Sequence, residues 1–368
     1  MEQWFRMNKA RNLAEFEQAL KMNALSLFNI VYADKDGNIF FISDGIIPLR
    51  DSSLNWLNPI RSDSPKFLTQ ERLPYESKIK YLNPKAGFLY SCNNTPRQAT
   101  AIAEDQKDAY HVGLQLFTYN RGDRYRRLFN AIQGNITWAD LLRIKYDTRY
   151  DEDGRYTRNL RALLRLDKSK YPDIADCIER INAWDLSSDT SSHTAALMLH
   201  VHRQLLQDFA MPFAFYMIQN DTLTEAAAVS AVRAARKEML RQYGTIDLPL
   251  GKIQRLERGG RSFAVSGLSE VSRAVDCKYD RKRGLFLMES GDGFIQFTRY
   301  SPDTTKQEIY SINAYGASSL PTSRHYTDQM QLFAQEKTRR VFLQRDSISA
   351  RALYEYQPND PNYDYKER

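Results

Sequence analysis

The hydrophobic pattern of this chain changes its period along the sequence, and the order of these changes limits the fold class. Apolar residues recur at spacings of three and four over residues 3–24, and two short apolar runs follow at 28–33 and 38–42. A helical pattern returns between residues 100 and 244, and short apolar runs separated by glycines fill most of 246–345. Helices and strands segregated in this way predict an α+β fold, whereas a parallel sheet needs alternating βαβ units.

The same changes divide the chain into four segments. Residues 1–99 are predicted to hold a helix, the first strands and a proline-rich cleft loop. Residues 100–244 are predicted to form a mostly helical insertion. Residues 245–345 are predicted to return to antiparallel strands with a closing helix, and residues 346–368 to form a polar C-terminal tail.

The composition excludes several classes of protein. The chain has 368 residues, of which 42% are hydrophobic, so it is long enough to bury a sizeable core. Its formal net charge of +7 is spread through segments of mixed sign without a nucleic-acid-binding motif, so nucleic acid is not an expected partner. The three cysteines, Cys92, Cys177 and Cys277, include no C-x-x-C pair, which argues against a disulfide framework or a zinc site. The sequence opens without a signal peptide, and no apolar run is long enough to span a membrane.

A tight turn is predicted between the first two strands, where residues 34–38 read Asp-Lys-Asp-Gly-Asn. Gly37 can adopt a positive φ there, which is typical of a β-hairpin. The turn also resembles the start of a calcium loop. However, the glutamate that closes an EF-hand loop is missing and strands replace the flanking helices, so we predict a structural hairpin.

Residues 81–96 carry the first candidate functional residues and read Tyr-Leu-Asn-Pro-Lys-Ala-Gly-Phe-Leu-Tyr-Ser-Cys-Asn-Asn-Thr-Pro. Phe88-Leu89-Tyr90 predicts a short strand, and Asn93 and Asn94 follow where that strand ends. An asparagine in this position can be a fixed hydrogen-bond donor that points into a cleft. On these residues alone a plain turn is the other interpretation, because Asn, Gly and Pro are the common turn residues.

Three further stretches extend this pattern before and after residues 81–96. They are Asn-Ile-Val-Tyr-Ala-Asp-Lys-Asp-Gly-Asn-Ile at 29–39 with Ile-Pro-Leu-Arg at 47–50, Arg-Gly-Asp-Arg at 121–124, and Gly-Ala-Ser-Ser-Leu-Pro-Thr-Ser-Arg-His-Tyr-Thr-Asp-Gln at 316–329. In this order the set resembles the penicillin acylase family, which includes acyl-homoserine-lactone acylases. The resemblance runs from Trp4 to about Phe342 and looks like the C-terminal portion of the family's catalytic β-chain.

The resemblance implies a fold and an activity. The expected fold is part of an N-terminal-nucleophile hydrolase, with stacked antiparallel sheets flanked by helices and a helical middle section. The expected reaction is hydrolysis of the linear amide of an N-acyl small molecule, such as a penicillin side chain or an acyl-homoserine lactone, through an acyl-enzyme. Family members of this kind are periplasmic or secreted, and the resemblance implies the same location for this chain.

The resemblance also implies roles for single residues. The nucleophile of the family is a serine freed at the start of the β-chain, whose own amine acts as the base. Asn93 matches the asparagine that donates to the oxyanion, and Asn94 is its companion in the substrate cleft. Arg124 matches an arginine that orients the asparagine or the substrate. The alternative for Arg124 is a solvated basic helix face, because Arg126 and Arg127 follow directly.

His325 lies in a Ser-x-His-Tyr-x-Asp-Gln sequence that matches a family motif, which makes it a second candidate for the substrate cleft. A triad of His325 and Asp328 with Ser318 or Ser323 is an alternative. No nucleophile elbow accompanies these residues, so we favour a structural hydrogen-bond network.

Metal binding is the remaining property that the resemblance implies. No cofactor is expected for this chain, but a structural calcium ion is implied for full-length members of the family. Glu104 and Asp105 are the candidates for contributing to such a site.

The chain departs from the family at the nucleophile. The family places that serine far upstream of the hairpin, whereas here the hairpin begins about thirty residues in, and Ser26 lies directly before the first strand. We therefore expect the nucleophile to be absent from these residues. The expected partners are an upstream β-chain segment and the α-chain of the same precursor. The alternative is a non-catalytic truncated or degenerate homologue that acts as a binding module.

Overall fold

The computed structural model describes residues 1–54, 56, 59, 63, 71–107, 120–132, 134–208, 223–301 and 307–352. The chain divides into two compact units, Met1–Thr137 and Trp138–Arg368. Both units combine helices with sheets in which antiparallel pairing predominates, so the predicted α+β class is confirmed. The division into four segments stays a prediction, and residues 353–368 of the predicted tail lie outside the described part. Within the described ranges, no helix combines the length and apolar character needed to cross a membrane.

The first unit packs two helices on a three-stranded antiparallel sheet. Its elements are α1 (Glu2–Lys9), α2 (Leu13–Leu20), β1 (Phe28–Ala33), β2 (Ile39–Asp44), β3 (Lys80–Leu82) and α3 (Asn120–Asn130). The strands lie in the order β1–β2–β3, so β2 is central and all but its first residue are buried. Met7 and Leu20 from the helices join Ile30 and Ile42 from the sheet in one buried cluster.

The predicted hairpin is confirmed between β1 and β2. Asp34 Oδ1 accepts hydrogen bonds from the backbone nitrogens of Asp36 and Asn38 at 3.0 and 2.9 Å. Gly37 has a φ of +87°, which a residue with a side chain rarely adopts. The carboxylate therefore holds the turn of the hairpin together.

The helix predicted over residues 3–24 is two helices. The chain is extended at Ala10, and Asn12 begins α2 by accepting a hydrogen bond from the backbone nitrogen of Glu15 at 2.9 Å. The glutamate in turn accepts from the backbone nitrogen of Arg11 at 3.0 Å. This reciprocal capping starts a second helix within the segment whose periodicity predicted a single one.

The strand predicted at Phe88–Tyr90 is wrong, and the third strand of the sheet is β3 instead. The backbone nitrogen of Tyr90 donates to the carbonyl oxygen of Ala99 at 2.9 Å, and Thr100 Oγ1 donates to the carbonyl oxygen of Phe88 at 2.7 Å. This segment therefore forms hydrogen bonds with residues 99 and 100 instead of pairing with the sheet.

A buried ion pair joins the parts of the first unit. The side chains of Lys78 and Asp44 are both 0% exposed and contact each other directly. Lys78 Nζ also donates to Asn23 Oδ1 at 2.9 Å, and Gln3 Nε2 donates to Asp44 Oδ2 at 3.1 Å. The four side chains therefore connect α1, the α2–β1 connection, the end of β2 and the segment before β3.

The described residues of the second unit form a helical part and two sheets. Its helices are α4 (Trp138–Lys145), α5 (Arg155–Asn159), α6 (Arg161–Leu164), α7 (Ala175–Asn182), α8 (His193–Asp208), α9 (Glu225–Tyr243), α10 (Leu250–Ile253), α11 (Met330–Ala334) and α12 (Arg345–Ser349). Its strands are β4 (Gln254–Arg258), β5 (Arg261–Ala264), β6 (Val275–Asp280), β7 (Leu285–Gly291), β8 (Phe294–Arg299), β9 (Glu308–Asn313) and β10 (Arg339–Val341). They form one sheet in the order β5–β4–β7–β6, in which β4 and β7 are parallel, and an antiparallel sheet in the order β10–β9–β8.

The change from helices to strands occurs close to the predicted position. Gly244 ends α9 with a φ of +72°, and its backbone nitrogen donates to the carbonyl oxygen of Leu240. Glycine is the residue that ends a helix in this left-handed conformation most easily. Beyond it the chain forms one short helix, α10, before the first strand.

His200 lies on α8 inside an aromatic cluster of the second unit. The residue is fully buried, and its ring meets Tyr243, Tyr279 and Phe286 edge-on at centroid distances of 5.6, 5.5 and 4.9 Å. Its Nε2 lies 3.1 Å from the hydroxyl oxygen of Tyr243. Burial disfavours the charged ring and lowers the pKa of His200 to about 3.

Removing one member of the buried pair should destabilise the first unit strongly. Lys78→Met leaves Asp44 buried without its cation, and we expect a loss of about 3–5 kcal/mol in unfolding free energy by urea denaturation. Lys35→Met is the matched control, because its pair with Asp36 has side chains that are 54% and 51% exposed and should contribute little to stability. The double variant Lys78→Met/Asp44→Leu should recover most of the loss. Equal effects of Lys78→Met and Lys35→Met would contradict this account.

His200 should make the second unit sensitive to acid. The unfolded chain binds a proton at His200 near pH 6.5, whereas the folded unit does not until about pH 3, so stability is complete above pH 6.5 and falls as the pH drops towards 3. Between pH 7.5 and pH 5 this residue should cost about 2 kcal/mol. Urea denaturation at both pH values should show that His200→Phe reduces the pH-dependent loss by this amount. An unchanged pH dependence in the variant would refute the assignment.

Candidate functional site

Asn94 holds together the loop that carries the candidate asparagines. The residue is buried, and its Oδ1 accepts a hydrogen bond from the backbone nitrogen of Cys92 at 2.8 Å. Its Nδ2 donates to the carbonyl oxygens of Gln98 and Thr95 at 2.5 and 3.2 Å. Both the oxygen and the nitrogen of the amide are therefore bonded inside the loop. Asn94 thus holds the loop conformation next to Asn93.

Asn93 has a different conformation and different partners. Its φ of +59° lies in the left-handed region, which asparagine tolerates better than most residues. Its Oδ1 accepts a hydrogen bond from Arg121 at 2.7 Å, and the same guanidinium donates through Nε to the carbonyl oxygen of Cys92 at 3.1 Å. Because Arg121 donates to the oxygen of the amide, this bond sets the orientation of the side chain and of its donor, Nδ2.

A cavity of about 350 Å³ opens beside Asn93 within the first unit. Its lining combines apolar groups, two asparagines and two hydroxyls: Leu27, Phe28, Asn29, Ser43, Ser91, Asn93 and Pro96. Among the described residues that line it, there is no His, Lys, Asp or Glu. The cavity can therefore bind an oxygen atom and an apolar group, but these residues supply no general base.

Helix α3 is fixed to the asparagine loop at several points. Besides the bonds from Arg121, Phe129 stacks on Phe88 at a centroid distance of 4.9 Å. Arg126 pairs with Asp105, and the two side chains are 12% and 7% exposed. These contacts hold Arg121 against Asn93 in a defined position.

Arg124, the arginine assigned from the sequence, lies one turn after Arg121 on α3 and is half-buried. Its orienting role stays a prediction. The sequence reasoning missed Arg121, although both residues belong to the same Arg-Gly-Asp-Arg stretch. The spacing could have revealed it, since residues three apart share one face of a helix.

The two candidate calcium ligands have protein partners. Glu104 accepts hydrogen bonds from the backbone nitrogens of Lys85 and Ala86 at 2.8 and 3.0 Å, and Asp105 pairs with Arg126. In the part of the chain that the structure describes, no three His, Cys, Asp or Glu side chains are grouped so that they could hold a metal ion. A calcium site in full-length members of the family stays a prediction.

His325 belongs to the second unit and sits in a hydrogen-bond network. Its Nδ1 lies 2.8 Å from Asp328 Oδ2, and its Nε2 accepts a bond from Arg324 at 3.1 Å. Ser323 Oγ accepts from the backbone nitrogen of His325, and Ser318 Oγ accepts from that of Leu320, both at 3.1 Å. Because an arginine occupies the nitrogen that a triad would direct at a serine, the geometry favours a structural network.

Comparison with known proteins then decides the family. The family model described as penicillin amidase matches residues 1–350. The chain belongs to the penicillin amidase family. Penicillin G acylase from Escherichia coli is 33% identical over 130 residues, which are 35% of this chain and 14% of the E. coli protein. The chain thus matches only a small part of the length of this relative.

The fold is shared with a solved penicillin G acylase. A thermostable penicillin G acylase from Alcaligenes faecalis superimposes with a TM-score of 0.60 at 15% sequence identity, covering 97% of this chain and 71% of that chain. The resemblance inferred from the sequence motifs is therefore confirmed. The predicted partial N-terminal-nucleophile hydrolase fold is confirmed with it.

The two asparagines should respond differently to substitution. Asn94→Ala removes the partners of three loop backbone groups, and we expect a loss of about 2–3 kcal/mol in unfolding free energy. Asn93→Gly keeps the left-handed backbone and should cost less than about 1 kcal/mol. Urea denaturation of both variants and the wild type measures the difference. A larger loss for Asn93→Gly would contradict the division of roles.

Proposed function

We propose that this chain is the distal β-chain part of an amidohydrolase that cleaves the linear amide of N-acyl compounds through an acyl-enzyme. Membership of the penicillin amidase family supports the hydrolase class. The observation that carries the proposal further is the fixed amide of Asn93 at the cavity of the first unit.

Asn93 is proposed to stabilise the oxyanion that forms when the amide carbonyl is attacked. Such a donor must be oriented before the reaction, because reorientation during the reaction would cost part of the stabilisation. The bond from Arg121 to Asn93 Oδ1 supports this role, since it orients the amide and therefore its donor, Nδ2. Arg121 and Arg124 are proposed as positioning residues on α3.

The nucleophile is proposed to come from an upstream segment of the β-chain. Ser43 and Ser91 reach the cavity, but the described lining contains no base that could take a proton from either. Lys78 pairs with Asp44, the residue after Ser43, and its Nζ is held by Asp44 and Asn23. A serine at the start of a chain carries its own α-amine, so it would supply both the nucleophile and the base.

The substrate proposed is a small molecule with an apolar acyl group, either a penicillin side chain or an acyl-homoserine lactone. Leu27 and Phe28 support an apolar acyl group, because they form part of the cavity wall. The upstream segment and the α-chain of the same precursor are the proposed partners. β1 supports this, since among the described strands it pairs with β2 alone and its Phe28 and Val31 are 43% and 50% exposed. A periplasmic or secreted location is proposed on the same family basis.

Reconstituted activity should depend on Asn93. We would assay residues 1–368 alone, and mixed with the part of a penicillin amidase relative that precedes the matched region. The substrates are a chromogenic phenylacetyl amide and a long-chain acyl-homoserine lactone. We expect turnover only in the mixture, with kcat reduced about 100- to 1000-fold by Asn93→Ala because one oxyanion donor is lost. Lys35→Met serves as the matched surface control and should leave kcat unchanged.

The outcomes separate the alternatives. Turnover by residues 1–368 alone would overturn the proposal of an upstream nucleophile, and Ser43→Ala and Ser91→Ala would then identify an internal one. Silence in both samples, with a cooperative unfolding transition, would favour the non-catalytic binding module, for which the exposed residues of β1 also offer a surface.

A further inference from the structure

A second cleft lies in the second unit, around the short helices α5 and α6, and has a volume of about 380 Å³. Three arginines line it: Arg158, Arg161 and Arg165. Two half-buried leucines, Leu164 and Leu186, belong to the same lining. We refer to it as the arginine cleft.

The three arginines are close together in the chain and line the same cleft. Arg158 lies on α5 and Arg161 begins α6, with only Leu160 between the two helices, whereas Arg165 directly follows the last residue of α6. All three are exposed, so they bring three like charges together at the cleft without an obvious structural reason.

None of these three guanidiniums has a carboxylate partner in the described part of the chain. Arg158 donates to the backbone carbonyl oxygen of Asp153, whereas Arg161 and Arg165 have no carboxylate within 4.0 Å among the described residues. Many other arginines of the unit are paired. Examples are Arg233 with Asp173 at 2.6 Å, Arg236 with Asp176 at 2.9 Å and Arg283 with Glu257 at 2.7 Å.

The remaining lining residues limit what the cleft can bind. Glu152 and Asp153 also line it, so two negative charges offset two of the three positive ones. A small anion fits this balance, whereas a polyanion needs an extended basic surface. The hydroxyl of Thr157 lies 2.8 to 3.0 Å from the carbonyl oxygens of three loop residues, so its proton is used inside the loop. The guanidiniums are therefore the donors that face a ligand.

We propose that the arginine cleft binds a small organic carboxylate with an apolar body. A guanidinium presents two parallel N–H groups that match the two oxygens of a carboxylate. Arg161 and Arg165 bind the carboxylate, and Leu164 and Leu186 contact the apolar body. The proposal rests on this cleft alone and does not depend on the proposed amide hydrolysis.

Isothermal titration of residues 1–368 with phenylacetate at low ionic strength tests the proposal. We expect saturable binding by the wild type and at least tenfold weaker binding by the double variant R161Q/R165Q. Arg281→Gln is the matched control, because Arg281 is an exposed arginine of the same unit outside the cleft, and it should bind as the wild type does. Circular dichroism of the double variant verifies that it is folded, as expected for two exposed positions.

Two further ligands test the two parts of the proposed ligand. Phenylacetamide keeps the apolar body without the charge, and acetate keeps the carboxylate without the apolar body. Both should bind at least tenfold more weakly than phenylacetate. The proposal is overturned if phenylacetate does not bind, if R161Q/R165Q binds it as tightly as the wild type does, or if either analogue binds equally well.

Discussion

The buried pair of Lys78 and Asp44 is the interaction on which the first unit depends. Removing two charges from water costs several kcal/mol per ion, and the pair offsets this only because other groups complete its hydrogen bonds. Gln3 and Asn23 supply those bonds from α1 and from the connection that follows α2. The pair therefore requires that four separated parts of the chain be assembled together.

The position of this pair also determines which residues reach the cavity. Asp44 is the last residue of β2, and successive side chains of a strand point to opposite faces. While Asp44 faces Lys78, Ser43 faces away from it and lines the cavity beside Asn93. Gly45 follows because the chain passes so close to the backbone of Ser26 that a Cβ atom there would lie 2.5 Å from its carbonyl oxygen. A buried charge pair, a close backbone approach and one wall of the site are thus consecutive in the sequence.

Asn93 and Asn94 have identical side chains but different roles. Asn94 satisfies backbone groups inside its loop, and Asn93 presents its amide at the cavity under the control of Arg121. The arginines show a similar division in the second unit. Those such as Arg233 and Arg236 connect helices through carboxylates, whereas Arg161 and Arg165 remain at a cleft without carboxylate partners in the described residues. In both cases the neighbours of a residue, and not its type, decide its role.

Local patterns in the sequence determined the fold class, the β1–β2 hairpin and the end of α9 at Gly244, because periodicity, an aspartate turn and a left-handed glycine act over a few residues. The motifs also indicated the family and drew attention to Asn93. Only the tertiary structure decided that Phe88–Tyr90 bonds to its own loop and that Arg121 holds Asn93. It alone brought Leu186 to the cleft lined by Arg158, Arg161 and Arg165. These features depend on contacts between residues far apart in the chain, and the periodicity and turn signals of a sequence report only on neighbours.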